Sequence, residues 1–464
     1  MRPSLLRSQL RLLLREPTLR LGALVLLLCF GYALARGRAW ALADAEQLAR
    51  VQHDVDAEVG KKREEVADVE AGRVRAEERP FAGSPLDYKV AAALPPGPLA
   101  ALATGQRDLA ASVTQVTPWG RSDALLTRQS LADPEQLQAG TFDAAFVVVY
   151  LLPLLVIGLT FDLLAGERER GTLRLVLSQP ISPAGFLLAK LAARLVVILA
   201  LLGLFGVAAA AALGTGVTAG LLAWIAVAAV YALFWSALAF AVNTRGRSSA
   251  ANAMTLAGAW VSLVLVLPAA INTVVEQALP LPSRMVLIGE LRAAENRAAA
   301  WIHDHPELTG DDVFAWARAH YRVQRAVEEE TAPRFAAFAA RLEARTELVR
   351  ASSWVSPPVL VHEALSELAG TGPARHAAFG AQVLAFVDSL RGEMAPRLYA
   401  GRRLTAGEYD ALPRFTFVEE EPAQVAVRLV PPLGLLVVAS AGLLLWGVLR
   451  LRRGEPPVRG PKVG

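Results

Sequence analysis

The chain has 464 residues, of which 54% are hydrophobic and only 19% are charged. Soluble domains average about 25% charged residues, so this composition argues against a wholly soluble chain and predicts membrane spans. The net charge is +4, and the single cysteine, Cys29, excludes an intramolecular disulfide.

The first 18 residues are rich in leucine and arginine, and Pro17 separates them from the first apolar run. This pattern predicts an amphipathic elbow helix that lies in the membrane interface over residues 1–18. The alternative is a basic flank that only sets orientation. A cleavable signal peptide is a further alternative, because Ala33-Leu34-Ala35 resembles a cleavage site.

Six apolar stretches are long enough for a membrane helix, which needs roughly 20 apolar residues. We predict transmembrane helix 1 at residues 19–36, helices 2–5 within residues 142–275 and helix 6 at residues 429–450. The charge-free stretch Leu195–Thr244 is too long for one span, so it is read as two spans that turn at Gly214–Gly216.

Lysine and arginine near the span ends set the orientation of a membrane protein. They outnumber acids on the side that holds residues 1–18, the loop at residues 166–183 and the tail at residues 451–464. That side is predicted to be the cytoplasm. Both termini are therefore expected in the cytoplasm.

Two long polar insertions, residues 37–141 and 276–428, are predicted to face outward. Their patterns predict one mostly helical extracytoplasmic domain, so the fold class is an all-α membrane protein. The predicted helices are Ala39–Glu78, Ser283–His303, Asp311–Arg350 and Arg375–Glu393, and short β-stretches are predicted at Ser112–Thr117 and Arg414–Val418.

The most informative segment is Gly166–Ser182, a charged stretch between two apolar runs. Gly171 permits a turn, and Thr172 can cap a helix that begins at Leu173. Proline ends that helix at Pro180. The alternating charges of residues 167–170 offer pairing to a partner protein, and the alternative is an ordinary charged loop that turns at glycine.

This segment resembles the cytoplasmic loop of ABC-2 type transporter permeases, in which a Glu-Arg-Gly-Thr-Leu element leads into a short helix that docks on an ATPase. Arg174 departs from the pattern, since many members have an acidic residue there. The resemblance implies an ATPase-coupling interface with these members: Glu167, Arg168, Glu169, Arg170, Gly171, Thr172, Leu173, Arg174, Val176, Leu177, Pro180 and Ser182.

A subgroup of this family carries large insertions between spans 1 and 2 and between spans 5 and 6. The second insertion here has similar elements at Ser356-Pro357, Ala369-Gly370-Thr371 and Arg375–Phe379. The subgroup resemblance therefore extends to the outer region, with less specific motifs.

The sequence has no phosphate-cradling P-loop motif. The chain is therefore not expected to bind ATP itself, and no cofactor, metal or enzyme activity is expected of it. The resemblance implies a bacterial inner membrane protein whose ATP and Mg²⁺ bind a separate ATPase present in two copies. The resemblance also implies a second permease, identical or homologous, within the lipid bilayer. An envelope partner is possible, and no nucleic acid is expected.

A few polar residues fall within the spans, and none of them is ionisable. They either line a transport pathway or join helices to each other; the residues concerned are Ser236, Asn252, Thr255, Ser262 and Asn272. The leading hypothesis is export or extraction of a substrate. The first alternative is mechanotransmission, in which the outer domain moves and nothing crosses, and the second is a membrane-embedded enzyme or sensor.

Overall fold

The computed structural model describes residues 3–105, 112–118, 142–173, 175, 178, 182–306 and 313–453. Its described part is almost entirely helical, and six helices are long and apolar enough to cross a membrane, as predicted. These spans 1 to 6 are Pro17–Glu70, Ala144–Glu169, Pro183–Leu213, Ala219–Asn243, Ser249–Ala278 and Pro422–Arg452.

Local sequence explains where the middle spans begin. Ser182, Thr218 and Ser248 are N-caps whose hydroxyls accept backbone amides three residues later. Span 3 ends at Gly214, whose φ of 68° is a left-handed conformation that favours glycine. The turn at Gly214–Gly216 therefore lies where the sequence predicted it.

Span 2 contains a π-helical stretch at Val147–Leu151, before Pro153. Proline has no amide to give to the carbonyl four residues earlier. The Tyr231 hydroxyl from span 4 instead donates to the Val149 carbonyl oxygen at 3.1 Å. A tertiary contact thus replaces the bond that the proline removes.

Span 4 is the centre of the bundle. In its most apolar window 67% of the residues are buried, compared with 11% in span 5 and 17% in span 6. Trp224, Tyr231 and Trp235 of span 4 are fully buried in the largest apolar core. Spans 5 and 6 therefore present wide apolar faces to lipid or to another protein.

The first span does not stop at the membrane boundary. It continues as one helix of 54 residues to Glu70, a length of about 80 Å at 1.5 Å per residue. The predicted end at Glu78 is wrong because the chain turns at Gly72, with a φ of 69°, before it reaches the prolines.

The elbow helix covers Pro3–Leu13 and packs on span 3. Among the described residues, the polar insertions form five further α-helices, a short 3₁₀-helix at Ala100–Leu102 and one small sheet. The helices are α1 (Arg284–Asp304), α2 (Val313–Ser353), α3 (Pro357–Ala369), α4 (Pro373–Tyr399) and α5 (Ala406–Ala411). The sheet pairs β1 (Val90–Ala93) with β2 (Val113–Val116) in antiparallel orientation.

The predicted helices at Ser283–His303 and Arg375–Glu393 correspond to α1 and α4. The beginning of the helix predicted at Asp311 lies outside the described residues. The predicted β-stretch at Arg414–Val418 is wrong, since these residues are extended but pair with no strand among the described residues. Its aromatic side chains Phe415 and Phe417 instead pack edge-on against Phe379 of α4.

Both insertions build one core. Val66 from the end of span 1 and Val90 from β1 lie in the same buried cluster as Val383 and Leu390 of α4 and Tyr409 of α5. We call this unit the helical domain. Because residues from both insertions share its core, neither insertion buries its apolar face alone.

The helical domain is also fixed to span 5. Three ion pairs join α2 to span 5 and to α1 in one antiparallel register: Arg345–Glu276 at 3.4 Å, Arg334–Glu290 at 3.3 Å and Arg297–Glu330 at 2.6 Å. The C-terminal part of α2 therefore lies beside the end of span 5, and the middle of α2 lies beside α1.

Candidate functional site

The segment singled out by the sequence lies at the end of the bundle opposite the helical domain. Span 2 stops its regular helix at Thr160, turns over residues 161–164 and resumes as a short inner helix, Ala165–Glu169. Span 3 then begins after the Ser182 cap. The inner helix thus stands between the ends of two spans.

Glu167 of the inner helix is tied to span 3. Its carboxylate oxygen Oε1 lies 2.9 Å from Lys190 Nζ, and the Thr172 hydroxyl donates to its other oxygen. Lys190 is 5% exposed. A buried lysine needs such an anion, because an unpaired charge away from water is costly.

Arg168 and Glu169 are tied to the turn between spans 4 and 5. The Arg168 guanidinium donates to the carbonyl oxygens of Gly246 and Arg247. The Glu169 carboxylate accepts the Ser249 amide at 2.8 Å and the Ser249 hydroxyl at 2.6 Å. Three consecutive charged side chains therefore bind this chain's own spans, an arrangement that the alternating charge pattern did not predict.

The outward surface of the segment is formed by other residues. Arg170 has a side chain that is 61% exposed, Leu175 is 70% exposed, and Ser178 is also exposed. Gly171 has a φ of 76° and open space around it. Leu173, in contrast, is buried against Leu187 and Leu191 of span 3.

Part of the predicted interface cannot be located. Arg174, Val176, Leu177 and Pro180 lie outside the described residues, so the predicted helix from Leu173 stays a prediction. Thr172 was predicted to cap that helix; its hydroxyl is instead directed back to Glu167. Contact of the whole segment with an ATPase also stays a prediction.

The predicted pathway residues are not brought together. Ser236 and Asn252 are fully buried, and Thr255 donates to the Ala251 carbonyl within its own helix. Ser262 and Asn272 lie on exposed faces of span 5, where the Asn272 amide donates to Glu276. In this conformation they form no common lining.

Sequence reasoning missed the buried polar residues of spans 3 and 4 that bond to the inner helix and to the turn before it. Lys190 and Arg194 of span 3 are two of these residues, and both are 5% exposed. Asn243 of span 4 is a third, and it is 1% exposed and bonds to two spans besides its own. The available signal was two cations spaced four residues apart at the beginning of an apolar helix.

The inner helix contacts two other parts of the bundle. It contacts span 3 through Glu167 and the span 4–5 turn through Arg168 and Glu169, while Arg170 and Leu175 are exposed. The inner helix thus connects the end of span 2 with span 3 and with the turn between spans 4 and 5.

Comparison with known proteins matches these regions. Residues 99–213, which contain the inner helix, match the family model "ABC-2 membrane transporter related". Residues 291–418 match a domain of unknown function, DUF3526. A curated relative, "Probable ABC transporter permease protein NosY" of Stutzerimonas stutzeri, is 37% identical over 131 residues. The match covers 26% of this chain and 47% of that relative, so the chain spans about half the relative's length.

Proposed function

We propose that this chain, which is similar to ABC-2 type permeases over part of its length, is the transmembrane subunit of an ATP-driven transporter in a bacterial inner membrane. ATP and Mg²⁺ bind a separate ATPase, present in two copies, and a second permease, identical or homologous, completes the pore. The direction is export, or extraction from the outer leaflet. The helical domain faces outward, where it meets an envelope partner.

The observation that carries this proposal is the inner helix. An ATPase outside the membrane has to move the spans through a protein–protein contact. The inner helix is anchored to span 3 by the partly buried Glu167–Lys190 contact and to the span 4–5 turn by the more exposed contacts of Arg168 and Glu169. The segment that follows it exposes Arg170 and Leu175. An exposed arginine and an exposed leucine within one short segment supply the two kinds of contact that interfaces use.

The test is purification of the tagged chain in mild detergent from its native cells, with bound proteins identified by mass spectrometry. We expect an ATPase to co-purify. Arg170→Glu and Gly171→Trp are expected to release it or to uncouple its ATP turnover. Arg170→Glu reverses an exposed charge, and Gly171→Trp forces a side chain onto a left-handed backbone.

Two matched controls separate docking from folding. Gly216→Trp changes another glycine of positive φ with open space around it, in the turn at the opposite end of the bundle. Arg414→Glu reverses an exposed arginine of the helical domain. Both controls should retain the ATPase. Absence of any ATPase from the unsubstituted chain would refute the transporter proposal.

A second function, mechanotransmission, is favoured by one specific observation. Span 1 continues without interruption to Glu70, and its Val66 is buried in the core of the helical domain. Span 5 is linked to the same domain through the Arg345–Glu276 pair. Movement of these spans therefore moves the domain, whether or not a substrate crosses.

The two functions differ in what hydrolysis accomplishes. Transport predicts that candidate substrates stimulate ATP turnover in liposomes and accumulate on one side. Mechanotransmission predicts no accumulation, with a nucleotide-dependent change in the position of α2 relative to the bilayer. A spin label at exposed Arg322 of α2, measured against labelled lipid headgroups, reports that change.

A further inference from the structure

The turn between span 2 and the inner helix has an unusual set of hydrogen-bond partners. The last carbonyl groups of a helix have no partner within the helix and need one from elsewhere. Here the Leu159 carbonyl accepts from Arg194 Nε, and the Thr160 carbonyl accepts from Asn243 Nδ2 at 2.8 Å. Both donors belong to other spans.

The next carbonyls follow the same pattern. The Phe161 carbonyl accepts from Asn252 Nδ2 at 3.2 Å, and the Leu163 carbonyl accepts from Lys190 Nζ at 3.0 Å. Asn252 also donates to Asn243 Oδ1 at 3.3 Å, and Asn243 Oδ1 accepts the Leu164 amide at 3.4 Å. The donors thus form a connected network around the turn.

All four donor side chains are buried: Lys190 and Arg194 are 5% exposed, Asn243 is 1% exposed and Asn252 is 0% exposed. Buried polar groups of this kind are costly unless they are bonded. Two come from span 3, one from span 4 and one from span 5. Ordinary helix packing does not require three spans to direct polar groups at one turn.

The same carbonyls have a second possible set of partners. In an uninterrupted helix each carbonyl accepts the amide four residues later, so continuation through residues 161–164 would dispense with the side-chain donors. Straightening of residues 161–164 would therefore release Lys190, Arg194, Asn243 and Asn252 from these carbonyls, whereas the observed bend is held by them. A two-state element of this kind is what couples a local contact to a larger movement.

We propose that residues 161–164 are a hinge, and that Lys190, Arg194, Asn243 and Asn252 are positioning residues that transmit displacement of the inner helix to spans 3, 4 and 5. This inference rests on the proposed function, because an ATPase supplies the displacement. It goes beyond that function by assigning the transmission to four named side chains behind the interface. None of the four is expected to touch ATPase or substrate.

The experiment uses the permease–ATPase complex in lipid nanodiscs, in a Cys29→Ser background that leaves no native cysteine. Two label pairs are compared by pulsed electron paramagnetic resonance. Cysteines at exposed Ser178 and Arg247 report movement at the inner helix, and cysteines at exposed Thr215 and Gln277 report movement at the far ends of spans 3 and 5. Distances are measured without nucleotide and with ATP and vanadate.

In the unsubstituted complex both pairs are expected to change their distance distributions. In Asn243→Ala/Asn252→Ala the inner pair should still shift, and the far pair should lose its shift. Asn272→Ala is the matched control, because Asn272 is an exposed asparagine of the same span as Asn252. It should behave as the unsubstituted complex.

If the two asparagines had only a structural role, their substitution would lower stability and would affect the distance changes of the inner and far label pairs alike. If the double variant does not fold, Asn252→Ala alone is measured. That variant keeps the Asn243–Thr160 bond, and the far shift should be reduced. Equal shifts in variant and unsubstituted complex overturn the hinge alone. Failure of any ATPase to bind the unsubstituted chain overturns the proposed function and the hinge with it.

Discussion

A buried ion pair in the helical domain provides a quantitative test of how that domain is held together. Arg391 of α4 contacts Glu328 of α2 at 2.9 Å, and the two side chains are only 7% and 10% exposed. Removing one member of such a pair typically costs about 3–5 kcal/mol, because the other charge is left buried. The two members nevertheless differ in what remains beside them.

After Glu328→Ala, Arg391 keeps the Pro118 carbonyl at 3.2 Å, and the half-exposed Asp388 carboxylate lies farther away at 4.0 Å. After Arg391→Ala, Glu328 keeps Arg325 at 2.8 Å. We therefore expect the free energy of unfolding of the helical domain to fall by about 3 kcal/mol in Glu328→Ala and by about 2 kcal/mol in Arg391→Ala. Both values lie at the lower end of the usual range or below it.

Hydrogen exchange of the buried α4 amides measures these losses without unfolding the membrane spans. Exchange should accelerate roughly a hundredfold in Glu328→Ala and somewhat less in Arg391→Ala, since about 1.4 kcal/mol is a factor of ten. The apolar double variant Glu328→Leu/Arg391→Met should restore most of the protection. The reasoning is refuted if each single variant changes exchange less than threefold, or if the double variant exchanges faster than both.

Two further predictions concern glycine packing and acid stability. A Cβ at Gly37 of span 1 would lie 1.9 Å from the Ala101 carbonyl oxygen, whereas one at Gly31 would meet nothing within 4 Å. Gly37→Ala should therefore cost about 1–3 kcal/mol and lower the thermal unfolding midpoint in detergent, while Gly31→Ala leaves it unchanged or raises it; equal midpoints would contradict the packing. The backbone amide of Thr405 and nearby arginines hold the pKa of Glu408 below its ordinary 4.5. Since a lowered pKa means that the ionised form favours the native state, its contribution is present at neutral pH and is lost as pH falls through that lowered pKa. Glu408→Gln should flatten the acid limb of the stability profile of the helical domain, measured by circular dichroism between pH 6 and about pH 3; an unaltered profile would exclude this linkage.

The sequence by itself determined the span count and the all-helical class. Apolar runs of about 20 residues bounded by charges can satisfy their backbone groups in a bilayer only as helices. The same local logic located the turn at Gly214, where the backbone freedom of one residue decides the outcome. It also singled out the segment that contains the inner helix.

Only the tertiary structure decided which partners the charged residues have. Glu167, Arg168 and Glu169 read as an alternating surface pattern, but Lys190, Gly246 and Ser249 approach them from distant parts of the chain. Sequence separation hides such contacts, because no local period specifies them. The small core shared by β1 and α4 is of the same kind.

Asn243 and Asn252 show most clearly the difference between what the sequence determines and what only the tertiary structure decides. Asn243 and Asn252 look like any intramembrane amides in the sequence, and pathway lining and helix joining were equally open for Asn252. The structure directs both at the turn after Thr160, where helical bonding is interrupted. A break in one helix creates unsatisfied carbonyls, and only the packing of three other spans determines which side chains reach them.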